Sequence, residues 1–226
     1  MSNFAKVIAI DGPSGSGKST IAKKLANRLD LTYLDTGAMY RAIGYFLDKN
    51  NIKDIDIENE VQSIDFQYAP TKDILILLNG EDLTQKIREH HVSTLASKYS
   101  QIGAVRNYLV QLQREIAKER PAILEGRDIG TVVFPDAALK IYLTADASER
   151  ARRRYLQLEE ANQLNGLTKA QILKDIESRD KRDAERELAP LKKADDAIEV
   201  NTTQLNMNEV EEFINSVFVK VQSRFS

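Results

Sequence analysis

The sequence predicts an α/β fold in which a five-stranded parallel sheet is flanked by helices. Five short apolar segments have the length of buried strands, at residues 6–10, 32–34, 122–125, 139–144 and 197–200. Long stretches with helical spacing of apolar residues separate them, and this alternation is typical of a parallel sheet. With 226 residues and 42% hydrophobic content, the chain can bury one substantial core as a single domain with small insertions.

The first strand leads into a glycine-rich segment and then into a helix. Residues 12–19 read GPSGSGKS, which fills every position of the pattern G-x-x-x-x-G-K-[ST]. The helix predicted over 18–29 carries Ile21, Leu25 and Leu29 at helical spacing. Strand, loop and helix therefore follow one another in the order that a phosphate-binding loop requires.

This loop predicts binding of a nucleoside triphosphate. Its glycines permit close approach of backbone N–H groups to phosphate oxygens, and the helix dipole favours the same anion. Lys18 is expected to reach the β and γ phosphates, and Ser19 to supply a hydroxyl to Mg²⁺. The predicted nucleotide-binding residues are Gly12, Pro13, Ser14, Gly15, Ser16, Gly17, Lys18, Ser19 and Thr20.

Three further helices are predicted from apolar periodicity. The first follows Thr36, a predicted N-cap. Its side chains expected to face the core are Met39, Ile43, Phe46 and Leu47. The second covers 101–118 and ends before Pro121. The third lies near the C-terminus and has a structural apolar stripe of Val210, Phe213, Ile214, Val217 and Val221.

Residues 63–95 break this alternation of strands and helices. Two short β segments, 65–68 and 74–78, are joined through Pro70 and followed by Asn79-Gly80, a turn pair typical of hairpins. We interpret this region as an insertion in the α/β domain.

A second irregular stretch covers residues 159–166. It precedes Thr168, whose spacing to Gln171 predicts a capping box at the start of another helix. We expect a short mobile lid at about residues 155–167.

Charge and composition exclude several classes of protein. The net charge of −2 provides no global positive field to hold DNA or RNA. The absence of cysteine removes disulfides and thiolate metal sites, and His90 and His91 cannot build a metal centre alone. No apolar run approaches the length that spans a bilayer, at the N-terminus or elsewhere. We expect a cytoplasmic protein without nucleic acid or membrane among its partners.

A phosphate loop alone does not distinguish kinases from GTPases and ATPase motors. Residues 51–54 read NIKD, the wrong order for the guanine-reading N-K-x-D of a GTPase. The strand that ends at Glu125 only partly matches the acidic strand end of an ATPase motor. A kinase acting on a small alcohol needs a carboxylate base, for which Asp35 and Asp128 are candidates. A P-loop kinase that acts on a small alcohol or on another nucleotide therefore stays open as the alternative.

Arginines cluster after the predicted strands. Because loops that follow parallel strands gather at one edge of the sheet, these side chains should converge near the phosphate loop. A nucleoside monophosphate acceptor would explain them, since its phosphate needs cations against charge repulsion but no strong base at neutral pH. The residues that follow strands are Arg41, Arg127, Arg150, Arg152, Arg153 and Arg154, whereas Arg179 and Arg186 are predicted to share a helical face with Asp183.

Four segments together resemble bacterial cytidylate kinase. They read GPSGSGKST at 12–20, YLDTGAMYR at 33–41, EGRDIGTVVFP at 125–135 and RDKRDAERELAPL at 179–191. The resemblance spans nearly the whole chain and implies a P-loop kinase fold that transfers phosphate from ATP to CMP and dCMP with Mg²⁺. It gives a meaning to the insertion at about 63–95, as an acceptor-binding region, and to the lid at about 155–167, beside core segments 1–62, 96–154 and 168–226 of one kinase domain. We expect a monomer, because nothing in the sequence demands an oligomer.

The resemblance also implies roles for individual residues. Arg41, Arg127 and Arg186 would hold the CMP phosphate, and Arg179 and Asp183 would engage the ribose. The residues implied to read the cytosine edge are Ser97, Arg106 and Asp128, and Thr36 completes the CMP-binding set.

The expected catalytic set adds arginines that follow the fourth strand. From their clustering, we expect Arg150, Arg153 or Arg154 to neutralise transition-state charge, together with Lys18 and Arg127. Mg²⁺ is expected at Ser19, with Asp35 acting through water. One departure is Glu125, which stands where this family often has aspartate; neither it nor Lys181 falls on a position assigned to a ligand.

Overall fold

The computed structural model describes residues 5–69, 71–89 and 91–225, so Pro70 and His90 lie outside the described residues. The described residues form two compact units, one of residues 5–35 and 113–225 and one of residues 36–112. The strands are β1 Ala5–Asp11, β2 Thr32–Asp35, β3 Phe66–Tyr68, β4 Ile76–Leu78, β5 Glu81–Asp82, β6 Ala122–Gly126, β7 Ala137–Thr144 and β8 Ile198–Asn201. The helices are α1 Lys18–Leu29, α2 Thr36–Lys49, α3 Ile57–Gln62, α4 Val92–Tyr99, α5 Gly103–Glu119, α6 Ala147–Glu160, α7 Lys169–Glu185 and α8 Met207–Val221.

The first unit is built on a parallel sheet with strand order β2-β6-β1-β7-β8. These are the five strands that the apolar segments predicted, so the α/β fold is confirmed. β1 lies at the centre, where Ile8 pairs with Ile123 of β6 and with Leu139 of β7. All five carboxyl ends meet at one edge, and the segments that follow them are therefore brought together.

Apolar side chains from one face of this sheet pack against α1 and α8 to form a core of the first unit. Ile8, Ile10 and Ile141 pack with Leu25 of α1 and Ile214 of α8, and all are fully buried. In α8 one predicted core residue is wrong, because Phe213 is 43% exposed. Phe218 is buried there instead and lies 5.2 Å from Phe225, measured between ring centroids.

Helices α6 and α7 of the first unit pack against each other through a separate apolar cluster. The predicted capping box is confirmed, because the Gln171 N–H donates to the Thr168 side chain while Gln171 Oε1 accepts from the Thr168 N–H at 2.8 Å. Helix α6 continues to Glu160, so the connection to α7 covers 161–168 and begins two residues later than the irregular stretch predicted at 159–166. The lid function of this connection stays a prediction.

The second unit combines helices with a small antiparallel sheet of order β3-β4-β5. Asn79 and Gly80 both have positive φ, 48° and 79°, as a type I′ hairpin turn requires. The predicted hairpin in the insertion is thus confirmed, with a third strand after the turn. Helix α2 begins at Thr36 itself, so the predicted cap is its first helical residue. The stripe residues Met39, Ile43 and Leu47 are fully buried.

Candidate active site

The phosphate-loop segment lies between β1 and α1 of the first unit, and its glycines have a positive φ that other residues rarely adopt. Gly12 has φ of 146°, and a Cβ there would lie 1.9 Å from the Leu143 carbonyl oxygen. Gly17 has φ of 94° immediately before α1 begins. The chain therefore crosses closely over β7 and then enters the helix with backbone angles that other residues rarely adopt.

Lys18 is the first residue of α1, and its ammonium group is buried. Nζ donates to the Pro13 carbonyl oxygen at 2.7 Å, so the side chain folds back across the loop. Burial, and then the charge of the nearby Arg127 guanidinium, lower the pKa of Lys18 to about 7. An anion that approaches Nζ would therefore strongly stabilise the charged form of this lysine.

Two carboxylates lie at neighbouring strand ends, and one of them contacts Ser19. Glu125 of β6 pairs in register with Asp35 of β2. The Glu125 carboxylate accepts from the Tyr33 hydroxyl at 2.7 Å and hydrogen-bonds the Ser19 side chain. Burial, and then the charge of Asp35, raise the pKa of Glu125. Sequence reasoning placed no ligand at Glu125, whereas the structure places it beside the predicted metal-binding hydroxyl.

Buried arginine–carboxylate pairs follow β6 and line α7. Arg127 Nε donates to Asp183 Oδ2 at 2.9 Å, and Arg179 Nε lies 3.9 Å from the same oxygen. Burial alone would raise the pKa of Asp183, but the neighbouring guanidinium groups hold it below its ordinary value. Three residues predicted to bind phosphate and ribose are thus brought together around one carboxylate.

Arg186 forms a second pair with Asp128. Its Nη2 atom lies 3.3 Å from Asp128 Oδ1, and both side chains are almost fully buried. Arg186 was predicted to share a helical face with Arg179 and Asp183, but α7 ends at Glu185 and Arg186 lies just beyond it in extended backbone. Arg186 Nε donates to the Ala189 carbonyl at 2.6 Å, which holds the guanidinium at the helix end.

Asp11, at the carboxyl end of β1, positions the turn that carries Arg127 and Asp128. Its two carboxylate oxygens accept from the Ile129 N–H at 2.9 Å and the Gly130 N–H at 2.7 Å. Burial raises the pKa of Asp11 to about 6, although these two hydrogen bonds oppose the shift. No sequence pattern indicated this role, because the contact joins residues more than a hundred positions apart.

The arginines of α6 have different environments. Arg150 is buried and bonds to the carbonyls of Ala145 at 2.8 Å and Ser14 at 2.9 Å, as well as to the Asp180 carboxylate. Arg153 bonds to Glu149 at 2.9 Å and to the Thr202 hydroxyl at 3.0 Å. Arg154 donates to Gln157 at 2.8 Å on the same helix. Their role in transition-state stabilisation stays a prediction.

The second unit carries the other predicted acceptor residues. Thr36, Ser97 and Arg106 are buried, and Arg41 is half-buried on α2. The Arg106 guanidinium carbon lies 5.9 Å from the centre of the Tyr40 ring, within cation–π range. Gly44 lets α4 approach α2 closely, because a Cβ there would lie 3.1 Å from the Leu95 backbone.

A family model described as cytidylate kinase matches residues 8–220 of the chain. The chain belongs to the cytidylate kinase family. The matched residues include all four segments on which the resemblance was based, so that prediction is confirmed.

Individual cytidylate kinases match over almost their full lengths. The protein from Caldicellulosiruptor saccharolyticus is 48% identical over 95% of this chain and 96% of its own. The protein from Thermosipho melanesiensis is 48% identical over 93% of this chain and 95% of its own. The protein from Fusobacterium nucleatum subsp. nucleatum is 47% identical over 96% of this chain and 98% of its own. The chain is thus a nucleoside monophosphate kinase of the transferase class.

Two further findings concern membrane-spanning helices and groups of metal ligands in this cytidylate kinase family member. Within residues 5–69, 71–89 and 91–225, no helix is both long and apolar enough to cross a membrane. Among the same residues, no group of three or more histidine, cysteine, aspartate or glutamate side chains could hold a metal ion by itself.

Proposed function

We propose that this chain transfers the γ-phosphoryl group of ATP to CMP and dCMP, giving CDP or dCDP and ADP. The observation that carries the proposal is the set of buried arginine–carboxylate pairs of the first unit, formed by Arg127, Arg179, Asp183, Asp128 and Arg186. They follow β6 or line α7, in the unit that also holds the phosphate loop.

These arginines suit a phosphate acceptor. Two unit charges of like sign 4 Å apart repel by about 4 kcal/mol at an effective dielectric of 20, and both substrates carry more than one. Guanidinium groups offset this repulsion, and each can bind phosphate oxygens in pairs. The acceptor phosphate is already ionised at neutral pH, so the enzyme needs no strong base. This agrees with Asp128 and Asp183 being held by arginines.

We assign roles to the residues of each unit. In the first unit, Lys18 and the loop amides hold the triphosphate, Arg127 and Arg186 hold the acceptor phosphate, and Arg179 and Asp183 engage the ribose. Asp128 accepts from the amino group of cytosine. In the second unit, Arg41 contacts the acceptor phosphate, and the residues that contribute to CMP recognition are Thr36, Ser97 and Arg106.

The residues around Ser19 fit a hydrated magnesium ion. The Ser19 hydroxyl lies against the Glu125 carboxylate, and Asp35 stands beside Glu125 at the neighbouring strand end. Mg²⁺ prefers oxygen ligands and keeps several of its waters, so Ser19 would bind it directly and the two carboxylates would hold its waters. When bound, the ion neutralises charge on the β and γ phosphates. The monomeric state and the cytoplasmic location stay predictions.

The proposal is tested by a coupled assay of ADP release with CMP, dCMP, UMP, AMP and a panel of small alcohols as acceptors. We expect rapid turnover with CMP and dCMP. Preferred turnover of an alcohol, or ATP hydrolysis that no acceptor stimulates, would overturn the proposal. Tight binding of guanine nucleotides without any transfer would instead indicate a GTPase.

The same assay should show CMP preferred over UMP by at least several tens-fold in kcat/KM. UMP replaces the amino donor of cytosine with a carbonyl and its N3 acceptor with an N–H. Each mismatched buried hydrogen bond costs about 1 to 3 kcal/mol. The KM for ATP should be the same with both acceptors. Equal kcat/KM values for UMP and CMP would contradict the assignment of Asp128, Ser97 and Arg106.

Binding of ADP should be coupled to proton uptake. The pKa of Lys18 is lowered to about 7, so above this pH most of the unligated enzyme carries a neutral amine. A phosphate beside Nζ raises this pKa, and the lysine takes up a proton as ADP binds. Calorimetric titration at about pH 8 in buffers of different ionisation enthalpy measures the uptake. The Lys18→Met variant is the control, and an enthalpy that is the same in all buffers would refute the coupling.

A further inference from the structure

A threonine that no motif indicated contacts the phosphate loop. Thr202 directly follows β8 and is fully buried. Its hydroxyl lies 3.2 Å from the Ser16 carbonyl oxygen and 3.1 Å from that of Thr144. The Thr144 carbonyl also accepts the Thr202 backbone N–H, at 2.7 Å. The Thr144 carbonyl thus has the Thr202 N–H as a second donor. Loss of the hydroxyl would therefore affect the hydrogen bonding of the Ser16 carbonyl more.

Neighbouring groups fix the orientation of Thr202. Arg153 donates to the Thr202 hydroxyl oxygen at 3.0 Å and also to the Thr202 carbonyl. With its oxygen already accepting from a guanidinium, the hydroxyl directs its own proton to a carbonyl. Glu149 accepts from Arg153 at 2.9 Å and so holds this arginine in place.

The contact at Ser16 determines where the next backbone N–H points. In a planar trans peptide, the carbonyl of one residue and the N–H of the following residue point in opposite directions. A bond from Thr202 to the Ser16 carbonyl therefore turns the Gly17 N–H away from Thr202. Within the described residues the Ser16 hydroxyl has no hydrogen-bond partner, so the side chain of this residue does not anchor the loop.

The same arrangement occurs two residues earlier. Arg150 donates to the Ser14 carbonyl at 2.9 Å, which turns the Gly15 N–H away from α6. The preceding peptide has the opposite orientation, because the Pro13 carbonyl accepts from Lys18 Nζ while the Ser14 N–H faces Asp180 Oδ1 at 3.4 Å. Alternate carbonyls of the loop are thus held from outside it, at Ser14 and at Ser16.

We propose that Thr202 is a positioning residue of the phosphate loop, which holds the Ser16 carbonyl so that the Gly17 N–H is aimed at the β-phosphate of the donor nucleotide. The inference rests on the proposed function, because it assigns the loop a triphosphate ligand. Amide groups aimed before the ligand arrives need no reorganisation when it binds. The ligand class concerned is a polyphosphate, and the nucleoside part is not involved.

The test compares Thr202→Val, which keeps the shape of the side chain and removes the hydroxyl, with Thr202→Ser, which keeps the hydroxyl. Thr203→Val is the matched control, since the Thr203 hydroxyl accepts from the Asp146 N–H, just before α6, and its removal also deletes one hydrogen bond. Calorimetric titration with ADP and with inorganic tripolyphosphate measures binding. We expect Thr202→Val to weaken both about tenfold, as the loss of one buried hydrogen bond does. Thr202→Ser and Thr203→Val should stay within about twofold of the unsubstituted enzyme.

Steady-state kinetics add a second readout. Thr202→Val should raise the KM for ATP and leave the KM for CMP unchanged, whereas a general loss of structure would alter both. Unchanged tripolyphosphate affinity in Thr202→Val would overturn the inference, as would a loss confined to ADP. If Thr202→Val does not fold, as judged from its thermal transition, Thr202→Ala is measured instead with the same expected loss. Failure of the unsubstituted enzyme to phosphorylate CMP would overturn the proposed function and leave the polyphosphate result standing.

Discussion

Replacing Lys18 with methionine should lower kcat for CMP phosphorylation by about a thousandfold, the loss seen when a preorganised group that stabilises transition-state charge is removed. The Lys18 ammonium is buried at the start of α1 and donates across the loop to the Pro13 carbonyl at 2.7 Å. In the transition state it would offset charge on the transferred phosphoryl group, for which methionine provides nothing. Coupled assays at saturating ATP and CMP measure the loss. Lys24→Met, an exposed lysine on the same helix, is the control and should retain full activity.

The same substitution should not destabilise the fold near neutral pH. Because burial lowers the pKa of Lys18 to about 7, the folded chain binds fewer protons than the unfolded chain between that pH and the ordinary lysine pKa. The free energy of unfolding of the unsubstituted enzyme therefore rises with pH across this window. Lys18→Met lacks that rise, so its stability relative to the unsubstituted enzyme should be greatest at about pH 6 and smaller at about pH 9. Near-normal activity, or a collapse of stability at pH 6, would contradict the role given to Lys18.

Local patterns predicted most of the first unit. Helix α1 has the predicted bounds, Lys18–Leu29, because apolar spacing and the preceding loop both specify its start. The five strands were located by short apolar runs, since strands buried on both faces have few polar residues. The hairpin turn at Asn79-Gly80 was predictable because few other residue pairs adopt two successive positive φ values.

Contacts between distant segments were not predictable in this way. Asp11 accepts from the amides of residues 129 and 130, and Thr202 reaches Ser16 from the far end of the chain. Neither residue has a local signature, because an aspartate at a strand end and a threonine after a strand are common on surfaces as well. Only the order of strands in the sheet places them beside the phosphate loop.

Residues assigned by resemblance form a third category. Arg127, Arg179 and Asp183 were assigned to the acceptor from a motif, and the structure brings them together around one carboxylate. Glu125 was not assigned, because the motif gives no ligand role to its position. Its side chain nevertheless hydrogen-bonds the Ser19 hydroxyl, a contact that the motif did not indicate.

Replacing Arg127 with methionine should lower kcat/KM for CMP by about a hundred- to a thousandfold, while the KM for ATP changes little. Arg127 donates through Nε to Asp183 at 2.9 Å and through Nη1 to the Gly126 carbonyl at 3.2 Å. A phosphate would meet a guanidinium already fixed by these bonds, so little side-chain entropy is lost on binding. Arg28→Met, on a half-exposed side chain paired with Glu211, is the control and should leave both parameters unchanged.

Removal of Arg127 also leaves Asp183 with fewer partners, and this effect must be separated from the loss of phosphate binding. Arg179 lies 3.9 Å from Asp183 and compensates only part of the buried charge, so Arg127→Met should lower the thermal transition temperature. In the double variant Arg127→Met with Asp183→Asn, no carboxylate is left uncompensated, and the transition temperature should recover. The rate should not recover, because the acceptor phosphate still lacks its guanidinium. A double variant that regains both stability and kcat/KM would show that Arg127 serves only to balance the charge of Asp183. A stable Arg127→Met variant with normal kcat/KM would show that Arg127 neither balances Asp183 nor binds the acceptor phosphate.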